Sequence, residues 1–409
     1  MMRTPGWSSA VALLFLVAAS SAGHADPTRA HRLRLGEALA AIGRAPSHRV
    51  GAAKVGAARE AVPAAGAWPN TVLSVATAHR TERFGAVASL PLPVFGTIGA
   101  SREVARAELD VAKRELGAGD LTAVRDVTRA WIELARAEAQ AELSARGAAR
   151  ERELATITRT RMESGDASRA EVVAADAAAR RAGAKAAADL TSIAASSAEL
   201  AALIGRDPDL ALHAEGGLPA LAAEVPSLAQ LRRRRGSHPE ARVAAARADA
   251  EKAKVSEARA SRWPALSLDL EALIDDPTLP GNDYRAGLTL ELPLFGHGAA
   301  RQRAAEASRR AAVAERARTI DALDGALVAA YRRYQQARAL ARDLDGDVVP
   351  AQREAAALAR EAYREGQGGL AAVLEADRTL AEAEAEAIAA RADAAIASAD
   401  VEWAAGGER

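Results

Sequence analysis

The chain has 409 residues with 54 basic and 54 acidic side chains, so its formal charge is zero and no bias toward polyanions is built in. Aromatics make up 3% and cysteine is absent, which leaves few rings for compact cores and removes disulfides, thiolate metal sites and a catalytic thiol. Alanine interleaved with Arg, Glu, Asp and Leu predicts long helices packed side by side.

In chain order, the first predicted element is an export signal. Met1-Met2-Arg3 precedes an apolar core from Val11 to Ala19, and small residues follow up to Ala25. This pattern predicts a cleaved signal peptide over 1–25, too short to span a bilayer. No cysteine follows the apolar core, so no lipid anchor is expected there.

The first repeat, 26–204, opens a helical run at Ser47-His48, and Trp68-Pro69 leads into a loosely alternating strand pair at about 68–95. The phrase Leu-Pro-Leu-Pro-Val-Phe-Gly at 90–96 closes that pair. From Thr97 to about Met162 there is no proline. The run predicts a helix roughly 90 Å long, with Gly117 and Gly119 as places where it could bend. Gly165 marks a turn and a second long helix follows. The Gly- and Pro-bearing stretch 205–226 predicts an irregular linker.

The second repeat, 227–404, writes the same order again at an offset of about 190 to 200 residues. Ser237-His238 answers Ser47-His48, Trp263-Pro264 answers Trp68-Pro69, and Leu-Pro-Leu-Phe-Gly at 292–296 answers 92–96. Ala330-Tyr331 answers Ala130-Trp131, and the turn near Gly366 answers Gly165. The strand pair here, about 263–295, is sharper. Leu266, Leu268 and Leu270 alternate with Ser267, Asp269 and Glu271, and Tyr284, Ala286, Leu288 and Leu290 with Arg285, Gly287, Thr289 and Glu291. Period two marks strands with one apolar and one polar face. Such strands fit a soluble sandwich, or a transmembrane barrel with Asp269, Glu271 and Glu291 on a wet lumen. Four strands cannot close a barrel, so the membrane reading requires three copies giving twelve. The long helix from His297 to Arg364 is expected to break at Asp345-Gly346-Asp347 and Pro350, and 405–409 reads as a tail.

No enzyme motif is present. The seven histidines form no metal-ligand spacing, and there is no phosphate loop or nucleophile elbow. The basic run Arg232-Arg233-Arg234-Arg235 reads as a solvated helix end, and nucleic acid is not an expected partner.

The ordered set of Trp-Pro, strand pair, Pro-Leu-Phe-Gly and long helix, closed by Tyr363-Arg364-Glu365-Gly366 and Val373-Leu374-Glu375-Ala376-Asp377-Arg378, resembles the TolC-like outer membrane factors, the CzcC-type branch most. The resemblance runs from about Leu33 to Trp403. It implies a mainly α chain with a small β part: two repeats build a long α-helical coiled-coil barrel, and four strands supply one third of a trimeric twelve-stranded β-barrel. It implies no enzyme and no cofactor. The implied function is a passive exit duct of a tripartite efflux or type I secretion-like system, with metal cations as candidate cargo. The implied partners are outer membrane lipid, a periplasmic adaptor (membrane fusion protein) and an inner-membrane pump of RND type. Gly165 and Gly366 would form periplasmic tips, Tyr363 would link to Glu171 as a gate, and Glu375 would form a carboxylate ring whose like charges raise its pKa. A second acidic position falls on Ala372 and a basic gate position on Gly368. Pro93, Phe95, Gly96 and Pro293, Phe295, Gly296 then become the joints between barrel and tunnel. A soluble periplasmic coiled-coil adaptor or a structural protein shares the helices and the export signal, and is the alternative.

Overall fold

The structure, a computed structural model, describes residues 31–77, 84–218, 225–274, 282–292 and 297–407. The expected signal peptide, the joint residues Pro293, Phe295 and Gly296, and the end of the tail lie outside the described residues.

Strand β1 (His31–Leu33), helix α1 (Leu35–Ala40) and helix α2 (Pro46–Ala65) come first. Strands β2 (Val72–Ala76) and β3 (Phe84–Leu92) follow, then helix α3 (Thr97–Glu163) and helix α4 (Arg169–Leu203). A short strand β4 (Leu212–Ala214) and helix α5 (Leu228–Arg234) lead to helix α6 (Pro239–Ala260), strands β5 (Ala265–Ile274) and β6 (Asp283–Glu291), and helix α7 (His297–Asp343). Helices α8 (Val349–Arg364) and α9 (Leu370–Ala404) complete the chain.

α3 runs 67 residues, a rod of about 100 Å. Gly117 and Gly119 lie inside it as ordinary helical residues, because Ala, Arg, Glu and Leu on either side keep the ladder intact. The expected break before Pro350 is also milder than the sequence suggests. A single π turn, Leu344–Val348, joins α7 to α8, and Pro350 sits in the first turn of α8, where its missing N–H costs nothing.

The packing is coiled-coil in kind. Val127, Leu134, Ala141, Ala148 and Ala155 of α3 are all buried at seven-residue spacing, as are Val373, Leu380, Ala387, Ala394 and Val401 of α9. A strict heptad of mostly small residues draws helices close with a left-handed coil. α3 and α9 are the central pair, α4 packs on α3, and α8 packs on α9. Nearer the sheet, α2 and α6 flank α3, and α7 lies on α6.

Midway along the rods, β1 pairs in parallel with β4, a contact that the sequence did not announce. Beside it Trp131 is buried and its indole N–H donates to the Leu33 carbonyl at 2.9 Å. The answering residue of the second repeat, Tyr331, packs against a separate cluster that holds Leu231, Leu327, Tyr334 and Val401.

At the far end the strands form one antiparallel sheet in the order β2-β3-β5-β6. β3 ends at Leu92, so ladder pairing stops just before Pro93, which has no N–H to offer. Gly96, at φ 77°, is the N-cap of α3, and Phe95 stacks on Trp263 with ring centroids 5.6 Å apart.

Candidate functional site: the hairpin tips and the two-faced sheet

Register places the side chains of the sheet. Leu73, Val75, Phe84, Leu90, Leu268, Leu270, Tyr284, Leu288 and Leu290 fall on one face. Leu73, Leu288 and Tyr284 are about two-thirds exposed or more (67%, 67% and 71%), and among the described residues no helix or second sheet covers them. The opposite face carries Ser89 paired with Asp269, the diagonally placed Thr289, whose hydroxyl donates to Asp269, and Glu271 directly across from Arg285. Glu291 closes that face at the end nearer α7. An unpartnered apolar face wide enough for four strands is not a stable surface in water.

The opposite end is built from two hairpin turns of one design. After α3, the Asp166 N–H reaches the Arg161 carbonyl at 2.8 Å and the Gly165 N–H reaches Met162 at 3.0 Å. After α8, the Gln367 N–H reaches Ala362 at 2.9 Å and the Gly366 N–H reaches Tyr363 at 3.2 Å. Gly165 and Gly366 hold φ of 85° and 78°, left-handed values that this closure demands.

Glu171 forms a capping box with Ser168 at the start of α4: its carboxylate accepts from the Ser168 N–H at 2.7 Å. That N–H, chiefly, holds the Glu171 carboxyl below its usual range, with further help from Arg161 and the Leu370 amide. Tyr363 is buried at 2% exposure among Leu154, Ala155, Ala175, Leu370 and Val373. Its hydroxyl donates to Thr158 Oγ1 at 3.1 Å, and the Thr158 proton goes to the Leu154 carbonyl at 2.9 Å. The Arg161 guanidinium lies 4.5 Å above the Tyr363 ring and also donates to the Tyr363 carbonyl. The expected Tyr363–Glu171 link therefore does not form within the chain. The ring is on the inward face of α8, while the carboxylate is turned to its own helix start.

Glu375 is exposed and forks with Arg378 at 2.6 and 3.0 Å, and Arg378 also reaches Glu382 at 2.7 Å. Arg378 pulls the Glu375 carboxyl below its usual range, opposing the rise expected from like charges in a ring. Beside it runs a groove of about 600 Å³ between α4 and α9, floored by α3. Asp377, 6% exposed, pairs there with Arg360. Glu151 stands nearby with one carboxylate oxygen buried and without a hydrogen bond. Burial, and then the charge of Asp377, push the Glu151 carboxyl up.

Sequence reasoning assigned no role to Asp377, which it met only as part of a motif, and did not find Arg360, Glu151 or Thr158. A signal for the first pair exists. Arg159–Asp176 bridges the first hairpin at 2.9 Å, and Arg360–Asp377 bridges the second with the same 17-residue separation around the tip glycine. Among the described residues no group of His, Cys, Asp or Glu could hold a metal ion, and no helix is long and apolar enough to cross a membrane.

The family model described as outer membrane efflux protein matches residues 38–206 and 231–407. No curated protein matches the chain. Among solved structures, the chain is similar to the outer membrane protein VceC of Vibrio cholerae, at 21% identity and TM-score 0.75 over 91% of this chain and 96% of that one. It is similar to the open MtrE outer membrane channel of Neisseria gonorrhoeae, at 20% identity and TM-score 0.73, covering 91% and 89%. The CmeC outer membrane channel of Campylobacter jejuni matches at 14% identity and TM-score 0.76, covering 91% and 85%. At these identities the structures speak for the fold.

Proposed function

The chain belongs to the outer membrane efflux protein family, an efflux exit duct and not an enzyme, and on that premise we propose how this duct is assembled and what feeds it. Three copies form one channel, their sheets closing a twelve-stranded barrel in outer membrane lipid and their helices a periplasmic tunnel. The observation that carries this reading is the two-faced sheet. Its bare apolar face suits acyl chains, its Ser89–Asp269–Thr289 face suits a wet lumen with Glu271 and Glu291, and one sheet cannot close alone.

The duct receives cargo from an inner-membrane pump of RND type through a periplasmic adaptor, and metal cations are a candidate cargo on the CzcC-type resemblance. Residues 1–25 direct export and are removed. Repeats 26–204 and 227–404 are joined by 205–226. Gly165 and Gly366 shape the entrance, Tyr363 and Glu171 hold it from separate positions, and Glu375 lines it. Pro93, Phe95 and Gly96, with Pro293, Phe295 and Gly296, mark the joints between barrel and tunnel.

Outer membranes extracted in detergent test the assembly. The expected result is a heat-modifiable trimer that conducts ions in planar bilayers. Recovery of the chain only as soluble periplasmic monomer would overturn it.

A further inference from the structure

Where the sheet meets the rods, each repeat lays an arginine across a glycine beside its Trp-Pro. Gly66 caps the C-terminus of α2, two residues before Trp68, and a Cβ on it would come 3.2 Å from Arg102 Cδ. In the second repeat Arg262, directly before Trp263, lies over Gly298 of α7, where a Cβ would come 2.9 Å from its Cγ. The Arg262 guanidinium also donates to Gln302 Oε1 at 2.9 Å, and Gln302 is the position that answers Arg102. The two repeats thus supply the arginine from different helices and keep the same arrangement. Only a residue without a Cβ lets the side chain lie this low. Trp68 and Trp263 stand beside these arginines and are largely exposed, at 56% and 61%.

The neutral chain is also polarised along its length. The helix ends next to the sheet, 56–65, 97–106, 251–260 and 297–306, hold eight Lys and Arg against five Asp and Glu, and Arg262 adds a ninth cation. The tip segments 154–178 and 355–379 hold six against eight. Near the sheet much of the acid is already engaged: Glu251 pairs with Lys254, Glu306 with Arg259, and Glu257 accepts from the Ser101 hydroxyl. Arg102, Arg106, Arg301 and Arg303 are exposed, and among the described residues none of them has an ion-pair partner.

The geometry points to the phosphate group of an anionic phospholipid as the ligand of this rim: Arg102 and Arg262 each take one headgroup, with Trp68 and Trp263 beside them. The inference rests on the membrane reading of the sheet and names the lipid class its rim selects. A guanidinium presents two parallel N–H groups to phosphate oxygens. An exposed indole, apolar with a single donor, suits the headgroup layer. Trp68 and Trp263 lead directly into β2 and β5, so acyl chains lying on the bare face end in headgroups at this level. The unpaired cations around each strap favour a net negative headgroup over a zwitterionic one.

The chain carries its own probes. With residues 1–25 removed, four tryptophans remain. Trp131 is buried, and Trp403 meets Thr122, about 38 Å along α3 from Thr97, so Trp68 and Trp263 are the pair within reach of brominated acyl chains. Purified protein is reconstituted at fixed ionic strength into phosphatidylcholine vesicles holding a minor share of brominated phosphatidylglycerol or of brominated phosphatidylcholine. The phosphatidylglycerol is expected to quench as though about fivefold enriched at the protein. Arg102→Gln with Arg262→Gln is expected to bring the two lipids level, and Arg180→Gln, on the tunnel wall, to leave the ratio unchanged. Each single substitution is expected to remove part of the ratio, so the test stands even if the double variant fails to assemble. Inorganic phosphate in place of chloride is expected to change nothing. Equal quenching by both lipids in the parent protein, or a ratio that survives the double substitution, overturns the headgroup site. A ratio abolished by inorganic phosphate gives the site to free phosphate and overturns the lipid assignment. Where neither lipid quenches, flotation decides: protein that floats with the vesicles overturns the site alone, and protein that does not float overturns the membrane reading beneath it.

Discussion

Tyr363→Phe and Tyr363→Ala separate the hydroxyl from the ring at the second hairpin tip. The Phe variant removes one hydrogen bond to Thr158, while the Thr158 proton keeps its place on the Leu154 carbonyl. The net cost is about 1 kcal/mol, or roughly fivefold in a local opening equilibrium. The Ala variant empties a fully packed site between Leu154, Ala175 and Val373 and strips the Arg161 guanidinium of its aromatic face. Ring loss costs about 3–5 kcal/mol and the cation–π contact about 0.5–1 kcal/mol more, roughly a 300-fold to 20,000-fold effect. Single-channel conductance in planar bilayers and amide exchange at the tip read both. Tyr363→Phe is expected to stay near the parent conductance and Tyr363→Ala to raise it. Because Glu171 touches Ser168 and not the phenol, Tyr363→Phe and Glu171→Gln are expected to add, with coupling under about 0.5 kcal/mol. Equal opening by Phe and Ala, or coupling above about 1 kcal/mol, would refute a tip held by ring packing.

Other substitutions probe the remaining features. Glu151→Gln removes a carboxylate whose pKa is raised by burial and by Asp377. The folded state then binds more protons than the unfolded one just above the ordinary carboxylate range, so this group destabilises as pH rises through that window. The variant is expected to raise the melting temperature at pH 7, with the gain fading toward pH 4, by calorimetry. Arg378→Ala uncovers Glu375, which Arg378 keeps ionised to lower pH than usual, so cation preference measured by reversal potential should rise. Leu288→Arg, on the bare sheet face, is expected to cost about 2–4 kcal/mol at mid-bilayer and to deplete the heat-modifiable form in outer membranes. Thr289→Arg, on the other face, should leave that form intact and change conductance.

The sequence made the repeat, the strand faces and the tips readable because each has a local signature. Trp-Pro, period-two leucines and a glycine closing a helix all act within a few residues. The small β1–β4 pair has no such signature, being three residues on each side with the whole first hairpin between them. The heptads of α3 and α9 were present but muted, since alanine fills half of their positions and hardly stands out from an alanine-rich surface. The partners of Tyr363 were hidden for a different reason. Tyr363 meets Thr158 across 205 residues, and only the relative rotation of two helices decides whether its ring turns inward. Glu375 misled in part because its neighbour Arg378, one helical turn away, competes with the symmetry argument.

The order of strands in the sheet has a consequence for biogenesis. The central ladder joins β3 to β5, so its nine paired positions bring together residues nearly two hundred apart. During synthesis and transit, β2–β3 exists only as a two-stranded ribbon of five pairs, too small to persist in water. The lipid-seeking face thus cannot assemble until the second repeat has crossed the inner membrane. Helical hairpins, whose contacts are local, can form first and carry unstructured strands to the outer membrane, where folding and insertion become one event.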